Sequence, residues 1–295
     1  MTPLTPDLLR SLPLPEHENT QSKEGRGAVL VVGGSVEVPG GALLAAIGAL
    51  RAGAGKLKIA TCRTVAPALG VAVPEALVMG LPETEAGGIA PEAAERLAGG
   101  ASRADAVLVG PGMMDPDATR ALVAALLDRV SGPDGPSLLL DAGALAGLQD
   151  ARGALHRHGG RVVLTPHAGE MAGLIDVSRD EVEADPEAAA RRAAELFGSV
   201  VVMKGGRTHV VAPGGETWLF EGGTIGLATS GSGDTLAGVI AGLLARGAEP
   251  VHAALWGVYL HGAAGNRMMR RHGGIGFLAR ELLAEVPAIM AELRE

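Results

Sequence analysis

Short apolar runs alternate along this chain with longer segments in which apolar residues recur at helical spacing. The short runs are rich in Val, Leu and Ile, and they predict strands at residues 28–32, 57–61, 76–79, 106–109, 137–141, 161–164 and 200–203. The longer segments predict helices at residues 41–52, 91–98, 116–130, 186–197, 234–245, 250–271 and 276–293. Continuously apolar strands separated by helices indicate an α/β fold, with a mostly parallel central sheet and helices on both faces.

A hairpin is expected after the last of these strands, from residues 208–212 to residues 216–220. Pro213-Gly214-Gly215 stands between these two runs and favours a tight turn. Residues 1–25 predict an extended or partly helical N-terminal arm. Since no linker follows this arm, we expect residues 26–295 to form a single domain.

Composition narrows the class of protein. Of the 295 residues 45 are glycine, about twice the usual share, and only 2% are aromatic, so Ala, Val, Leu and Ile must form the core. A net charge of −8 argues against a general binder of nucleic acid or of anionic membranes. The single cysteine, Cys62, cannot form an internal disulfide, and residues 1–25 lack the basic-then-apolar pattern of a secretory signal. No apolar run is long enough to span a bilayer, so we expect a cytoplasmic protein.

Glycine-rich or polar residues follow five of the predicted strands. In a parallel sheet the carboxyl ends of the strands meet at one edge, and ligands bind in the crevice beyond that edge. The sequence therefore predicts one binding crevice built from five loops. These are Gly33-Gly34-Ser35, Gly110-Pro111-Gly112, Asp141-Ala142-Gly143, Thr165-Pro166-His167 and Lys204-Gly205-Gly206.

The loop that leads into the helix at 234–245 predicts an anion site. Gly231, Ser232 and Gly233 offer backbone N–H groups at a helix N-terminus, where the helix dipole is positive and glycine lets a phosphate approach closely. Asp234 stands at this junction and has two interpretations. It is either an ordinary acid of the first helical turn, or a general base beside a bound phosphate, as a phosphoryl-transfer site requires.

Three other side chains at the strand ends have two interpretations each. His167 is either a ligand-binding residue or a structural one, and the neighbouring Glu170 equally favours the start of a helix. Lys204 is either a phosphate-binding ammonium or the solvated tip of a strand. Asp141 is either a water-mediated magnesium ligand or the cap of the following turn.

Several well-known motifs do not occur in the sequence. No Gly-Lys pair precedes Ser or Thr at the spacing of a P-loop, and Leu236 occupies the position of the last glycine of the dinucleotide-binding fingerprint. There is no G-x-S-x-G elbow, and the histidines and Cys62 lack the spacing of a zinc site. Neither a transition-metal site nor an acyl-enzyme mechanism is therefore expected.

Taken together, the motifs resemble those of the ribokinase-like superfamily and, within it, the ADP/ATP-dependent NAD(P)H-hydrate dehydratases. The more specific part is a Pro-His-x-Gly-Glu element combined with an early Gly-Gly-Ser…Gly-Ala element, and the resemblance extends from residue 23 to the C-terminal helices. The matching segments are Gly33-Gly34-Ser35, Gly41-Ala42, Arg51-Ala52-Gly53-Ala54-Gly55, Gly110-Pro111-Gly112, Asp141-Ala142-Gly143-Ala144-Leu145, Thr165-Pro166-His167-Ala168-Gly169-Glu170, Lys204-Gly205 and Gly231-Ser232-Gly233-Asp234.

The resemblance implies a ribokinase-like three-layer sandwich and a lyase that repairs damaged cofactor. Its substrate would be the S-epimer of NADHX or NADPHX, the hydrated forms of NADH and NADPH. With Mg²⁺, ADP or ATP would phosphorylate the hydrate hydroxyl, and elimination of phosphate would restore NAD(P)H and leave AMP or ADP. The resemblance also implies a homo-oligomer, namely a tetramer, without nucleic-acid or membrane partners, and a functional link to a separate NAD(P)H-hydrate epimerase.

Site residues are implied position by position. Ala42, Gly112, His167 and Asp234 match the positions that bind the hydrate, and Asp234 would be the catalytic base. The positions that bind the adenine nucleotide are Lys204, Gly205, Gly206, Arg207, Thr208 and Gly233.

This chain departs from the family pattern at four positions. Pro39 replaces a usual tyrosine, and Met114 and Ser230 stand where glycine is common. Gly143 replaces the second acid of an Asp-x-Asp motif, which removes a possible second carboxylate. The sequence Gly-Ser-Gly-Asp at residues 231–234 is intact.

Two other functions fit the same motifs. A kinase of a small alcohol, such as a thiazole or pyrimidine vitamin precursor, would stop at a stable phosphorylated product. A nucleotide-binding protein with a degenerate site would perform no chemistry. Asp234 argues against the second function, because a carboxylate that faces a phosphate is useful only for chemistry.

Overall fold

The computed structural model describes residues 1–16, 24–132 and 134–294. Ten strands occur in this part of the chain, and all of them join one sheet. They are β1 (Thr2–Pro3), β2 (Ala28–Val32), β3 (Lys56–Cys62), β4 (Ala76–Leu81), β5 (Ala106–Val109), β6 (Ser137–Leu140), β7 (Val162–Leu164), β8 (Val200–Met203), β9 (Thr208–Val211) and β10 (Thr217–Phe220).

Twelve α-helices connect and cover the strands in the described residues. They are α1 (Pro6–Ser11), α2 (Gly40–Arg51), α3 (Ala66–Ala72), α4 (Ala94–Ala101), α5 (Pro116–Val130), α6 (Arg152–Arg157), α7 (Ala168–Ile175), α8 (Arg179–Ala184), α9 (Pro186–Phe197), α10 (Ser232–Ala245), α11 (Pro250–His272) and α12 (Ala279–Glu292). Short 3-10 helices lie at Glu24–Arg26, Pro91–Ala93, Ala142–Leu145, Leu148–Ala151 and Ile225–Leu227.

The order of strands in the sheet is β1-β10-β9-β8-β7-β6-β5-β2-β3-β4. Strand β9 is antiparallel to β8 and β10, and the other pairs are parallel. The predicted hairpin is present, and the Ala212 N–H donates to the Glu216 carbonyl oxygen at 2.9 Å across its turn. The parallel core of the sheet therefore places the ends of β2, β5, β6, β7 and β8 along one edge.

Helices cover both faces of this sheet, as the apolar strands predict. Along β2, Val29 and Val31 face one apolar cluster, while Leu30 and Val32 face the other. Helices α2, α10, α11 and α12 contribute to the first cluster, and α4, α5, α7 and α9 contribute to the second. The result is the three-layer α/β architecture that the sequence predicts.

Helices α2 and α10 cross at backbone contact distance. A Cβ at Gly238 would lie 2.1 Å from the Ala45 carbonyl oxygen, and one at Gly242 would lie 2.4 Å from the Ala49 carbonyl oxygen. Such distances exclude any side chain at these two positions of α10. Because of this contact, the N-terminal turns of the two helices are held next to each other.

The N-terminal residues pack against the rest of the molecule. Leu4 N–H donates to the Leu219 carbonyl oxygen at 2.8 Å, so β1 continues along β10. Leu9 of α1 is fully buried, and the Trp256 indole N–H donates to the Leu12 carbonyl oxygen at 2.8 Å. Residues 17–23 of the predicted arm lie outside the described residues.

None of the helices in the described ranges is long and apolar enough to cross a membrane.

Candidate active site

The loops after five strands meet at one edge of the sheet. The Gly34 N–H at the end of β2 donates to the Pro111 carbonyl oxygen after β5, at 2.7 Å. The Lys204 N–H at the end of β8 donates to the Pro166 carbonyl oxygen after β7, at 2.8 Å. The crevice that the sequence predicts therefore exists, and its loops are joined by backbone hydrogen bonds.

The loop after β5 fits against the loop after β6 only because Gly110 has no side chain. Gly110 has φ +124°, and a Cβ there would lie 1.7 Å from the Asp141 carbonyl oxygen. Ala142, which follows Asp141, has φ +48°, a backbone conformation that is unfavourable for a residue with a Cβ. This tight packing fixes the backbone position of Asp141.

A buried ion pair occupies the centre of the crevice. Asp141 Oδ1 accepts hydrogen bonds from Thr165 Oγ1 at 2.7 Å and from Lys204 Nζ at 2.8 Å. Lys204 Nζ also lies 3.6 Å from Glu170 Oε2. Burial lowers the pKa of Lys204, but the charges of Asp141 and Glu170 outweigh burial and raise that pKa overall. Lys204 is therefore a fixed ammonium rather than a solvated strand tip, and the Asp141 carboxylate does not cap the following turn.

Asp234 lies in the first turn of α10, because the helix begins at Ser232 with Gly231 as its N-cap. Burial raises the pKa of the Asp234 carboxyl from 3.8 to about 6, and the negative charge of Asp141 contributes to this rise. The nearby Lys204 ammonium opposes this rise in pKa. A carboxylate with a pKa close to neutrality is suited to accept a proton during catalysis.

The start of α10 offers backbone donors beside the Lys204 ammonium. The Ser232 N–H already donates to the Thr229 carbonyl oxygen at 3.2 Å, whereas the N–H of Gly233 lies in the first turn, where no intrahelical acceptor exists. A Cβ at Gly233 would lie 3.5 Å from Lys204 Nζ, so helix terminus and ammonium are adjacent. Gly231 has φ +85°, and a side chain there would collide with Leu44 of α2. The Gly233 N–H and the Lys204 ammonium are therefore neighbouring hydrogen-bond donors at the crevice.

His167 has a structural role at the start of α7. Its Nδ1 accepts hydrogen bonds from the N–H groups of Gly169 and Glu170, at 3.0 and 3.2 Å, so it caps α7. Glu170 Oε2 accepts in return from the His167 N–H at 2.7 Å. The interpretation of Glu170 as a helix-start residue is therefore confirmed. The His167 side chain remains more than half exposed and lines the cavity beside Lys204, with its Nε2 3.5 Å from Glu170 Oε1.

Ala42 and Gly112 lie together at the other side of the crevice. Ala42 is fully buried in the first turn of α2, backbone included. Gly112 has φ +70°, and a Cβ there would lie 2.4 Å from the Val38 carbonyl oxygen. Of these two predicted hydrate-binding positions, only Gly112 is partly exposed, and as a glycine it offers backbone alone. At the departure Gly143, a Cβ would lie 2.8 Å from the Met113 carbonyl oxygen, so this backbone has no space for an acid.

A cavity of about 790 Å³ opens beside the ammonium of Lys204. Its lining contains predicted nucleotide residues and a group of apolar side chains. The first group is Lys204, Gly205, Gly206, Thr208 and Gly233, and the second includes Phe220, Ile225, Leu227, Leu236 and Val258. The Lys204 ammonium and these apolar side chains, which we call the apolar slot, therefore border one cavity with room for a ring system.

Arg207 is separate from this cavity. Its guanidinium forms an ion pair with Glu221 at 3.0 Å and is well exposed, and the residue lines a second cavity of about 600 Å³ on the other side of the 204–207 turn. Four neighbouring positions, including Lys204, face the main cavity, so Arg207 is the predicted nucleotide residue that the structure does not bring there.

His261 is a cavity residue that sequence reasoning missed. It lies in the middle of α11, and its Nε2 is 3.0 Å from Ser232 Oγ. The only signal in the sequence is a single histidine within the apolar run 253–265. That signal is weak, because contact with Ser232 depends on how α10 and α11 pack.

No group of three or more His, Cys, Asp and Glu side chains within the ranges 1–16, 24–132 and 134–294 is arranged to hold a metal ion. The crevice does contain the carboxyls of Asp141, Glu170 and Asp234. Mg²⁺ keeps several waters and is commonly held by one or two carboxylates together with substrate phosphates. This donor set fits a Mg²⁺ that enters with a nucleotide.

The chain is similar in sequence to known NAD(P)H-hydrate dehydratases. A family model described as NAD(P)H-hydrate dehydratase matches residues 29–288. An ADP-dependent (S)-NAD(P)H-hydrate dehydratase from Xanthomonas campestris pv. campestris is 47% identical over 98% of this chain and 96% of its own length.

Two crystal structures share the fold over almost the whole chain. A ribokinase-like superfamily protein from Enterococcus faecalis matches with a TM-score of 0.83 and 26% identity, covering 99% of this chain and 96% of that one. An ADP/ATP-dependent NAD(P)H-hydrate dehydratase from Bacillus subtilis, co-crystallized with ATP/Mg²⁺, matches with a TM-score of 0.81 and 31% identity, covering 99% and 98%.

Proposed function

Because this chain belongs to the NAD(P)H-hydrate dehydratase family, we propose that it restores NADH or NADPH from the S-epimer of the hydrated cofactor at the expense of ADP. The reaction is a metabolite repair, and the enzyme is a lyase. The observation that supports this most strongly is Asp234, a carboxyl with a pKa of about 6 in the first turn of α10, next to the fixed ammonium of Lys204.

The first step is phosphoryl transfer to the hydrate. Water added across the ring double bond leaves a hydroxyl on the carbon next to the ring nitrogen. Asp234 accepts the proton of this hydroxyl while its oxygen attacks the terminal phosphorus of ADP, and the bond from that phosphorus to the bridging oxygen breaks to release AMP. The first-turn N–H of Gly233 and the Lys204 ammonium stabilise the negative charge on the transferred phosphoryl group.

The second step is elimination. Hydroxide is a poor leaving group, whereas phosphate is a good one, so the carbon–oxygen bond breaks with the help of the ring-nitrogen lone pair. The neighbouring ring carbon then loses a proton, and the double bond of the reduced nicotinamide is restored. The net products are NAD(P)H, AMP, inorganic phosphate and protons.

Side chains around the crevice orient the reactants. Asp141 Oδ1 accepts from both Thr165 and Lys204, so it holds Lys204 in place for the phosphate. We propose the apolar slot of the main cavity for the adenine ring, and the part of the crevice around Ala42, Gly112 and His167 for the hydrate. These assignments follow the positions that the motifs match.

Mg²⁺ is part of the proposal. Bound with the phosphates, it would neutralise part of their charge, and Asp141 and Glu170 are the carboxylates in the crevice that would hold it through water.

The experiment that tests this function follows the reduced-nicotinamide absorbance band. Purified protein is incubated with NADPH hydrate, Mg²⁺ and either ADP or ATP, and nucleotide products are quantified by chromatography. We expect absorbance to recover only with nucleotide, with one AMP (or ADP) and one phosphate formed per NADPH. Chelation of Mg²⁺ by EDTA should stop the reaction.

A different product would point to a different enzyme. If protein that binds ADP restored no NADPH but accumulated a phosphorylated alcohol when offered thiazole or pyrimidine alcohols, the dehydratase assignment would be abandoned in favour of a small-molecule kinase. Omission of nucleotide and omission of protein serve as the controls for spontaneous dehydration.

Assembly and location are also proposed. A homotetramer in the cytoplasm and a functional link to a separate NAD(P)H-hydrate epimerase follow from the family resemblance. The single Cys62 is buried, which is consistent with a reducing compartment. Size-exclusion chromatography with light scattering tests the oligomeric state.

A further inference from the structure

A histidine with no assigned role lies against the catalytic turn of α10. His261 of α11 faces the main cavity, and its Nε2 lies 3.0 Å from Ser232 Oγ. Ser232 is the first residue of α10, two positions before Asp234. Ser232 itself is buried and also lines the cavity. The pair therefore lies at the same helix terminus that offers donors to the phosphate.

The backbone of Ser232 is already fully engaged. Its N–H donates to the Thr229 carbonyl oxygen at 3.2 Å, and its carbonyl oxygen accepts from Thr235 Oγ1 at 2.7 Å. These bonds fix the residue on both sides. The group of Ser232 that remains to meet a ligand in the cavity is its hydroxyl.

His261 is uncharged at neutral pH. Burial lowers its pKa to about 4, a hydrogen bond with the Ser232 backbone opposes this effect, and the nearby Lys204 ammonium adds to it. A neutral imidazole has one N–H donor and one acceptor nitrogen, so two arrangements of the bond to Ser232 are available. If the Ser232 hydroxyl donates to Nε2, its proton is turned away from the cavity. If Nε2–H donates to Oγ, the hydroxyl proton is left for a ligand.

An anion in the cavity selects between these arrangements. Phosphate oxygens accept hydrogen bonds and do not donate when ionised, so a phosphate near Ser232 favours a hydroxyl proton that points at it. The lone pair of Oγ that faces His261 is then free to accept from Nε2–H. The imidazole thereby completes a chain of donors directed at the phosphate.

We propose that His261 is a positioning residue for phosphoryl transfer, which donates from Nε2 to Ser232 Oγ and thereby directs the Ser232 hydroxyl at a phosphate oxygen of the bound nucleotide. This inference rests on the proposed function for the identity of the anion. It adds to that function one residue from α11 and one side-chain donor from Ser232.

Two substitutions of His261 separate positioning from packing. In H261Q the amide nitrogen can occupy the place of Nε2 and keep the bond to Ser232, whereas in H261N the side chain is too short to reach. We expect H261N to lower kcat/KM for ADP about 10- to 100-fold, which is the range for a lost hydrogen bond to a charged group, and H261Q to stay within about threefold of the wild type. Equal losses in both variants would overturn the proposal.

A matched control is available in His158. This histidine is fully buried and hydrogen-bonded through Nε2 to the Pro136 carbonyl oxygen, near the opposite end of the strands. H158N should lower the free energy of unfolding without changing kcat/KM. Circular dichroism and urea unfolding of all variants show whether each one folds.

A double-mutant cycle tests whether His261 acts through Ser232. In the S232A background the hydroxyl is gone, so H261N should cause no further loss of kcat/KM. If the two losses multiply instead, His261 acts by another route and the proposal fails.

Nitrogen NMR of His261 gives a readout that does not depend on turnover. Addition of ADP and Mg²⁺ should move the Nε2 signal of wild-type protein from a mixed value to that of a protonated nitrogen, and S232A should abolish this change. An Nε2 that stays unprotonated in the complex would contradict the proposal even if NADPH hydrate is dehydrated. Conversely, if the NMR signal changes as expected but NADPH hydrate is not dehydrated, the proposed function is refuted. The role of the His261–Ser232 pair in orienting a hydroxyl toward phosphate would then still stand.

Discussion

Replacement of Asp234 by asparagine should make the protein more stable and inactive at the same time. The pKa of the Asp234 carboxyl rises from 3.8 to about 6 in the folded protein, because the side chain is buried and Asp141 is close. A shift of this size corresponds to about 3 kcal/mol against the ionised form, and partial exposure of Asp234 reduces the value to about 2 kcal/mol. Asparagine has nearly the same shape but no charge, so it removes this cost.

The sign of the effect follows from the direction of the shift. An acid whose pKa is raised on folding is disfavoured in the native state wherever it is ionised. The cost is absent below the unfolded pKa of 3.8 and complete above the folded pKa of about 6. The free energy of unfolding of D234N should therefore exceed that of wild type by about 2 kcal/mol at about pH 8, and by about half as much at about pH 5.

Activity should change in the opposite direction. Loss of a general base typically lowers the rate about 10²- to 10⁴-fold, and ADP should still bind because its phosphate donors remain. In the wild type, kcat/KM should fall about tenfold per pH unit below about pH 6, as Asp234 becomes protonated. Urea unfolding at the two pH values and the NADPH-hydrate assay measure the two effects on the same samples.

Asp115, a carboxylate whose pKa is lowered rather than raised on folding, provides the control. Asp115 caps α5, accepting from the Ala118 N–H at 3.1 Å and from Thr84 Oγ1 at 2.7 Å, and its pKa is lowered by these hydrogen bonds. D115A should lower stability by about 1 kcal/mol above the usual pKa of aspartate and leave turnover intact. The reasoning about Asp234 is refuted if D234N loses stability at both pH values, or if it retains near-full activity.

Two further predictions concern the surroundings of Asp234 and the contact between helices. K204M should move the acidic limb of the pH–rate profile above about pH 6, because Lys204 lowers the pKa of Asp234. The same variant should weaken ADP binding about tenfold or more. D141N should move the acidic limb below about pH 6, because Asp141 raises the pKa of Asp234. Both shifts are read from kcat/KM against pH, and shifts in the same direction would contradict them. G238A should lower the free energy of unfolding by more than about 2 kcal/mol, because its Cβ would lie 2.1 Å from a carbonyl oxygen of α2. G99A, at an exposed helical position with no atom within 4 Å of the added Cβ, should raise stability slightly, and a similar loss in both variants would show that the contact is not the cause.

Local sequence patterns predicted most of the architecture. The apolar runs between glycines located the central strands to within two residues, and Pro116, Pro186 and Pro250 marked the starts of α5, α9 and α11 correctly. The ribokinase-like fold and the dehydratase family expected from the motifs are confirmed by the structural matches and the family model.

Two of the missed elements depend on a tertiary contact or an unusual cap, whereas the missed α8 begins with an ordinary capping box of Ser178 and Glu181. Strand β1 has two residues and exists because it pairs with β10. Helix α7 is capped by the imidazole of His167, a residue type that does not normally signal a helix start. The start of α10 lies two residues before the predicted one, because Gly231 adopts φ +85° and lets the helix begin at Ser232.

In the candidate site, too, some residues could be predicted from local sequence and others depend on tertiary contacts. Strand ends gave the position of Lys204 and Asp141, since parallel topology alone brings such ends together. Sequence could not decide that Lys204 is a buried ion pair rather than a solvated tip, because that depends on the distance to Asp141. His261 was missed for the same reason, since its partner Ser232 lies on another helix.

The central claim is that Asp234 activates the hydrate hydroxyl to attack the terminal phosphorus of ADP. The most direct test is to place a heavy oxygen isotope in that hydroxyl and to follow the label by mass spectrometry after ADP-dependent conversion to NADPH. We predict that the label appears in inorganic phosphate, because the carbon–oxygen bond breaks only after phosphorylation. Label released into water would contradict this mechanism, since the hydroxyl would then leave without ever having attacked phosphorus.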